Sequence, residues 1–81
     1  MKFEILGSGC SSCNTLEALT VEVLRELGLA DAEIEHVTDY VDIMRYGVMS
    51  TPALVIDGRV VVVGRLPSRA ELTTIITSAL V

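Results

Sequence analysis

Residues 53–64, ALVIDGRVVVVG, leave this chain the least structural freedom. Two β-rich runs flank Asp57-Gly58, a dipeptide that readily adopts the positive φ values of a tight primed turn. An antiparallel hairpin is expected there. Upstream, strand and helix signals alternate. Lys2 to Leu6 is a short β-compatible run broken by Gly7-Ser8-Gly9. From about Ser12 to Leu27, Leu16, Leu19, Val23, Leu24 and Leu27 recur at helical spacing, while Glu17, Glu22, Arg25 and Glu26 fall largely elsewhere. Gly28 is placed as a C-terminal stop.

A second strand is read over AEIEHVT, residues 32–38, with Ile34 and Val37 facing inward. Asp39, with Asp42 after it, reads as the N-cap of a short helix running to about Tyr46 and ended by Gly47. After the hairpin, Pro67-Ser68 opens a last helix. Ser68 and Glu71 fit a capping box, and Leu72, Ile75, Ile76, Ala79 and Leu80 form its apolar stripe. The order is β-α-β-α-β-β-α, an α/β chain. A parallel first β-α-β unit with a right-handed crossover and an antiparallel final hairpin give a mixed four-stranded sheet with helices on both faces.

With 81 residues there is room for one core, so residues 1–81 are read as a single domain. The apolar content is aliphatic, with no Trp and one Phe, and such a core needs no staples. No run approaches the roughly 18 apolar residues of a membrane span. The start, MKFEILGSGC, has a charge at position 4 and only a short apolar run, unlike a signal peptide. A cytoplasmic monomer without membrane attachment is expected. Net charge is −5 and the arginines are scattered, which argues against nucleic acid as a partner, because phosphate backbones repel such a surface.

The only two cysteines, Cys10 and Cys13, sit at the first strand-to-helix turn. A disulfide between them closes a very small ring and restricts the unfolded chain little, so pairing there serves chemistry rather than stability. Unpaired N–H groups at a helix start, together with the helix dipole, favour a thiolate at Cys10 and lower its pKa. Cys13 is then placed to attack a mixed disulfide formed at Cys10. The residues alone leave three readings open: a dithiol that opens and closes, a thiolate metal clip, or two small buried residues.

A C-x-x-C opening the first helix of a β-α-β-α-β-β-α chain resembles the thioredoxin and glutaredoxin fold. Two further features carry the resemblance. MSTPALVIDG places Thr51-Pro52 directly before the third strand, where that superfamily has its cis-proline opposite the dithiol. Gly64 ends the last strand, where thioredoxin-like proteins often have glycine. With G-x-G-C-x-x-C at its start, the whole chain is similar to the small thioredoxin-like, or glutaredoxin-like, redox-active disulfide proteins. It departs from better-known relatives in having Ser11-Ser12 between the cysteines and Gly9 in place of a tryptophan, and it lacks the glutathione-binding pattern of glutaredoxins.

The resemblance implies a protein disulfide oxidoreductase with Cys10 and Cys13 as the catalytic pair. Ser11, Ser12, Thr51, Pro52 and Gly64 would contact substrate. Ser11 and Ser12 also serve as cap residues, and a cis Pro52 would turn the Thr51 backbone outward to pair with an extended segment. No cofactor is implied beyond the Cys10–Cys13 disulfide, and the partners implied are protein disulfides and a thioredoxin-reductase-like reductant. Thioredoxin's buried aspartate, six residues ahead of its first cysteine, would fall on Glu4, a strand residue that otherwise reads as solvent-facing. His36 is read as structural or surface, Met44 and Met49 as gap-fillers (Met49 alternatively as an apolar rim), and Tyr40 and Tyr46 as packing the short helix with hydroxyls toward water.

The alternative is a thiolate metal carrier, since small heavy-metal domains also begin with a strand, a G-x-x-C-x-x-C loop and a helix, and soft thiolates select Cu(I) or Zn(II). Those domains end in a strand, whereas this chain ends in a capped helix. A redox-sensing subunit is a third possibility.

Overall fold

The computed structural model describes residues 1–9, 11–29 and 31–80. The chain forms β1 (Lys2–Leu6), α1 (Ser11–Glu26), β2 (Glu33–Val37), α2 (Tyr40–Arg45), β3 (Ala53–Ile56), β4 (Arg59–Val63) and α3 (Arg69–Ala79). The strands make one four-stranded sheet in the order β2-β1-β3-β4. β1 runs parallel to β2 and antiparallel to β3, and β3 is antiparallel to β4. The mixed α/β architecture is the one expected from the sequence.

Local chemistry explains the element ends. At the close of α1, Leu29 N–H donates to Leu24 C=O and Gly28 N–H to Arg25 C=O, the paired bonds of a Schellman cap. Asp39 Oδ1 accepts from Val41 N–H at 2.9 Å to start α2. Ser68 Oγ accepts from Glu71 N–H at 3.1 Å to start α3. In the hairpin turn both Asp57 and Gly58 have positive φ, at 47° and 84°, as a primed turn requires.

β1 and β3 occupy the centre of the sheet, and both of its faces are covered. On one face Phe3, Ile5, Leu54 and Ile56 pack with Leu16, Val23 and Leu24 of α1 and Leu72 and Ile76 of α3. On the other, Leu6, Ala53 and Val55 pack with Val37, Val48 and Ile43 of α2. Truncating a fully buried member such as Leu16 or Ile76 to alanine costs roughly 2–5 kcal/mol. The β3–β4 register shifts between Leu54↔Val62 and Val55↔Val60. This bulge lets Val61 and Val62 both pack on the α1–α3 side, while Val60 packs on the α2 side.

Three side-chain expectations are corrected. Ala79 and Leu80 are exposed rather than part of the α3 stripe, because an open groove lined by Ile56, Asp57, Val61, Ile75 and Ala79 separates the last turn of α3 from the hairpin. Met44 and Met49 fill no gap. The short α2 buries only Ile43, which leaves Met44 outside, and Met49 is 95% exposed. Glu4 does not face solvent, because its strand is central rather than at an edge.

Candidate active site

The site is built where β1 ends, α1 begins and the β3–β4 hairpin starts and finishes. Cys10 lies outside the described residues. Cys13, the third residue of α1, is fully buried and disulfide-bonded. Its sulfur rests against Gly7, just after β1. A Cβ built on Gly7 would lie 2.1 Å from Cys13 Sγ and 3.7 Å from Thr51 Cβ. Only a residue without a side chain fits between strand end, sulfur and the Thr51 loop.

The Thr51-Pro52 peptide bond is cis. Pro52 is buried and Thr51 exposed. Gly64 N–H donates to Pro52 C=O at 2.8 Å, which ties the end of β4 to the start of β3. Gly64 has φ of +68°, and a Cβ there would stand 2.8 Å from Ser50 Cβ. Glycine is therefore required at this position on two counts, backbone and space. Ser11 and Ser12 occupy the first turn of α1 and are exposed, and the Ser11 carbonyl accepts from Thr15 Oγ1 at 2.9 Å. Cys13, Thr51, Pro52 and Gly64 are thus drawn into one neighbourhood, with Ser11 and Ser12 on the turn of α1 that carries Cys13.

A thioredoxin-domain family model matches residues 1–77. The chain belongs to the thioredoxin family. It is 36% identical over 77 residues to a thioredoxin of Methanothermobacter thermautotrophicus, covering 95% of this chain and 99% of that protein. It is also 38% identical over 68 residues to a thioredoxin of Methanocaldococcus jannaschii, covering 84% of this chain and 77% of that one. Kinship with thioredoxins supports a thiol–disulfide oxidoreductase type of function in general terms.

The structure also revises the reading of Glu4 and Tyr46 and adds Gly7 to this thioredoxin-family site. Glu4 is only 8% exposed, and the Tyr46 hydroxyl points inward to its carboxylate rather than toward water. That hydrogen bond, then burial, then the charges of Glu4, Glu35 and Asp42 hold the Tyr46 hydroxyl above the ordinary tyrosine pKa. Tyr40 does lie exposed. Gly7 read only as part of a strand break, although a glycine closing a strand just ahead of a cysteine pair is itself a signal of close approach. Among the described residues, no group of three or more His, Cys, Asp or Glu could hold a metal ion.

Proposed function

We propose that the protein reduces disulfides in partner proteins through a Cys10/Cys13 dithiol. Cys10 thiolate attacks one sulfur of the partner's disulfide, and the S–S bond breaks as the other sulfur leaves as thiolate and takes a proton. Cys13, on losing its proton, attacks the Cys10 sulfur. The mixed disulfide breaks, the second partner thiol is released, and the Cys10–Cys13 disulfide is left. Two electrons pass to the partner. A thioredoxin-reductase-like donor returns them, and no other cofactor takes part. Reduction is the direction we assign in a cytoplasmic setting, because thioredoxin sits at about −270 mV and the cytosolic pool is near or below about −220 mV.

The observation that carries this reading is the buried, disulfide-bonded Cys13 packed against Gly7 beside an exposed Thr51. Pro52 C=O is already engaged by Gly64. No backbone hydrogen bond to Thr51 is found among the described residues, so its N–H and C=O are available to an extended segment of substrate, as in strand addition. Met49, Thr51 and Gly64, all exposed, form the surface such a segment would cross, while Ser11 and Ser12 border it from α1.

An equilibrium titration in dithiothreitol buffers, read by alkylation and intact mass, tests the proposal. A reversible two-electron transition between about −300 and −180 mV is expected for an exchange catalyst. A protein that forms no intramolecular disulfide in that window, or that is purified with metal bound, would overturn it.

A further inference from the structure

Outside the thiol pair and its proline loop, one side chain touches both sides of the turn that carries Cys13. His36, on β2, is half-buried at 20% side-chain exposure. Its Nε2 lies 3.2 Å from Gly7 C=O, and its Nδ1 lies 3.2 Å from Glu17 Oε1 on α1. Gly7 is the residue against which Cys13 Sγ rests. Glu17 follows Cys13 by four positions on the helix, so the two side chains project from neighbouring turns.

The Gly7 carbonyl can only accept a hydrogen bond, so Nε2 carries the proton in this contact. Gly7 N–H is already committed to Val37 C=O at 3.0 Å. Beyond Leu6 the β1–β3 ladder has ended, and among the described residues the imidazole is the donor found at the first carbonyl after β1. The other ring nitrogen, Nδ1, faces the Glu17 carboxylate.

The geometry points to His36 as a positioning residue for the redox pair, acting through Gly7. It holds the Gly7 peptide from β2 while its other nitrogen grips α1 at Glu17, fixing the floor on which Cys13 Sγ rests. The consequence is chemical as well as structural. A disulfide forms readily only when its two sulfurs are held in bonding geometry, so a loosened floor shifts the dithiol–disulfide equilibrium toward the dithiol. This inference rests on the Cys10/Cys13 dithiol proposed above.

The test compares wild type with His36→Leu, His36→Gln and Glu17→Gln in the same dithiothreitol titration, with urea melts to follow folding. His36→Leu loses both contacts and is expected to lower the disulfide-forming equilibrium constant by about tenfold, near 30 mV. His36→Gln keeps an N–H donor in reach of Gly7 and should stay within about threefold of wild type, under half that shift. Glu17→Gln leaves the Gly7 bond in place and keeps an amide oxygen that accepts from Nδ1, so it should also stay close to wild type. Melts in which His36→Leu is less stable but titrates at the wild-type potential would assign it a structural role alone and overturn the inference. Should His36→Leu not fold, a His36→Gln variant displaced by tenfold would overturn it as well. A wild-type protein with no reversible transition would defeat the dithiol reading first and this inference with it, an outcome distinct from wild-type titration with unresponsive variants.

Discussion

Tyr46 and Glu4 stand 42 positions apart in sequence, yet the phenol hydroxyl lies 2.8 and 2.9 Å from the two carboxylate oxygens. Tyr46 ends α2, which packs on the face of the sheet opposite α1 and α3, and the contact gives the carboxylate of central strand β1 a donor in a site where water has little access. A hydrogen bond to a charged group contributes about 1.5–3 kcal/mol. We therefore expect Tyr46→Phe to lower unfolding free energy by about 1–3 kcal/mol in urea melts. Tyr46→Phe/Glu4→Gln should cost less than the sum of the single changes, because a lone buried carboxylate is worse than none. Strict additivity would mean that the contact does not form in solution.

The same pair sets an alkaline limit. Tyr46 has its folded pKa raised above 10.0, first by the Glu4 hydrogen bond, so the folded state holds that proton more tightly than the unfolded chain. The associated stability is complete below about pH 10 and is lost as pH rises through the higher folded value. Melts above pH 10 should show this loss in wild type and a smaller slope in Tyr46→Phe.

An acid-side counterpart lies at the start of α3. Arg65 hydrogen-bonds Glu71 and holds its carboxyl below the ordinary 4.5. Here the folded value is depressed, so the contribution is present above about pH 4.5 and fades as pH falls through the folded value. Carboxyl-carbon NMR should place the Glu71 midpoint below those of unpaired glutamates, and Arg65→Ala should move it up. Both side chains are solvent-exposed, so stability itself should hardly change.

Two glycines should resist substitution for different reasons. Gly7→Ala drives a methyl into Cys13 Sγ and is expected to destabilise by about 1–3 kcal/mol, as overpacking does. Gly64→Ala adds left-handed backbone strain of about 1–2 kcal/mol to a clash with Ser50. Ser50→Gly should relieve only the clash, so Gly64→Ala/Ser50→Gly should recover part of the loss. Full recovery would show that the backbone conformation costs nothing.

For the proposed exchange, Cys13→Ser should arrest the reaction after the first attack. Incubation with a disulfide-containing protein and intact-mass analysis should then find a partner attached through Cys10. Cys10→Ser should capture none, since Cys13 is fully buried. Equal capture by both variants would reverse the assigned roles.

Much of this was legible in the sequence because the signals are local. Asp57-Gly58 announces its turn through backbone preference, and Ser68 and Asp39 announce helix starts through their side-chain oxygens. The cysteine spacing, Thr51-Pro52 and Gly64 pointed to one neighbourhood through family resemblance. Glu4 escaped because alternation along a strand does not say whether that strand is an edge. β1 became central only when β3, some fifty residues later, paired with it, and that left Glu4 no wet face. The His36 contacts to Gly7 and Glu17 depend on a second long-range register, the parallel pairing of β2 with β1. The bulge at Val60–Val62 left no mark in a run of four identical valines.

The central place of β1 also bears on how the molecule comes into being on the ribosome. β1 is synthesised before either neighbour, and its second edge stays open until Ala53–Ile56 arrives to pair with it. Thr51-Pro52 sits immediately ahead of that late strand. A nascent chain therefore carries Cys13 well before it has the Thr51 loop that closes beside Gly7. During that interval the Cys13 sulfur is most open to unintended oxidation, and sealing the sheet and burying Cys13 become a single event in the chain's maturation.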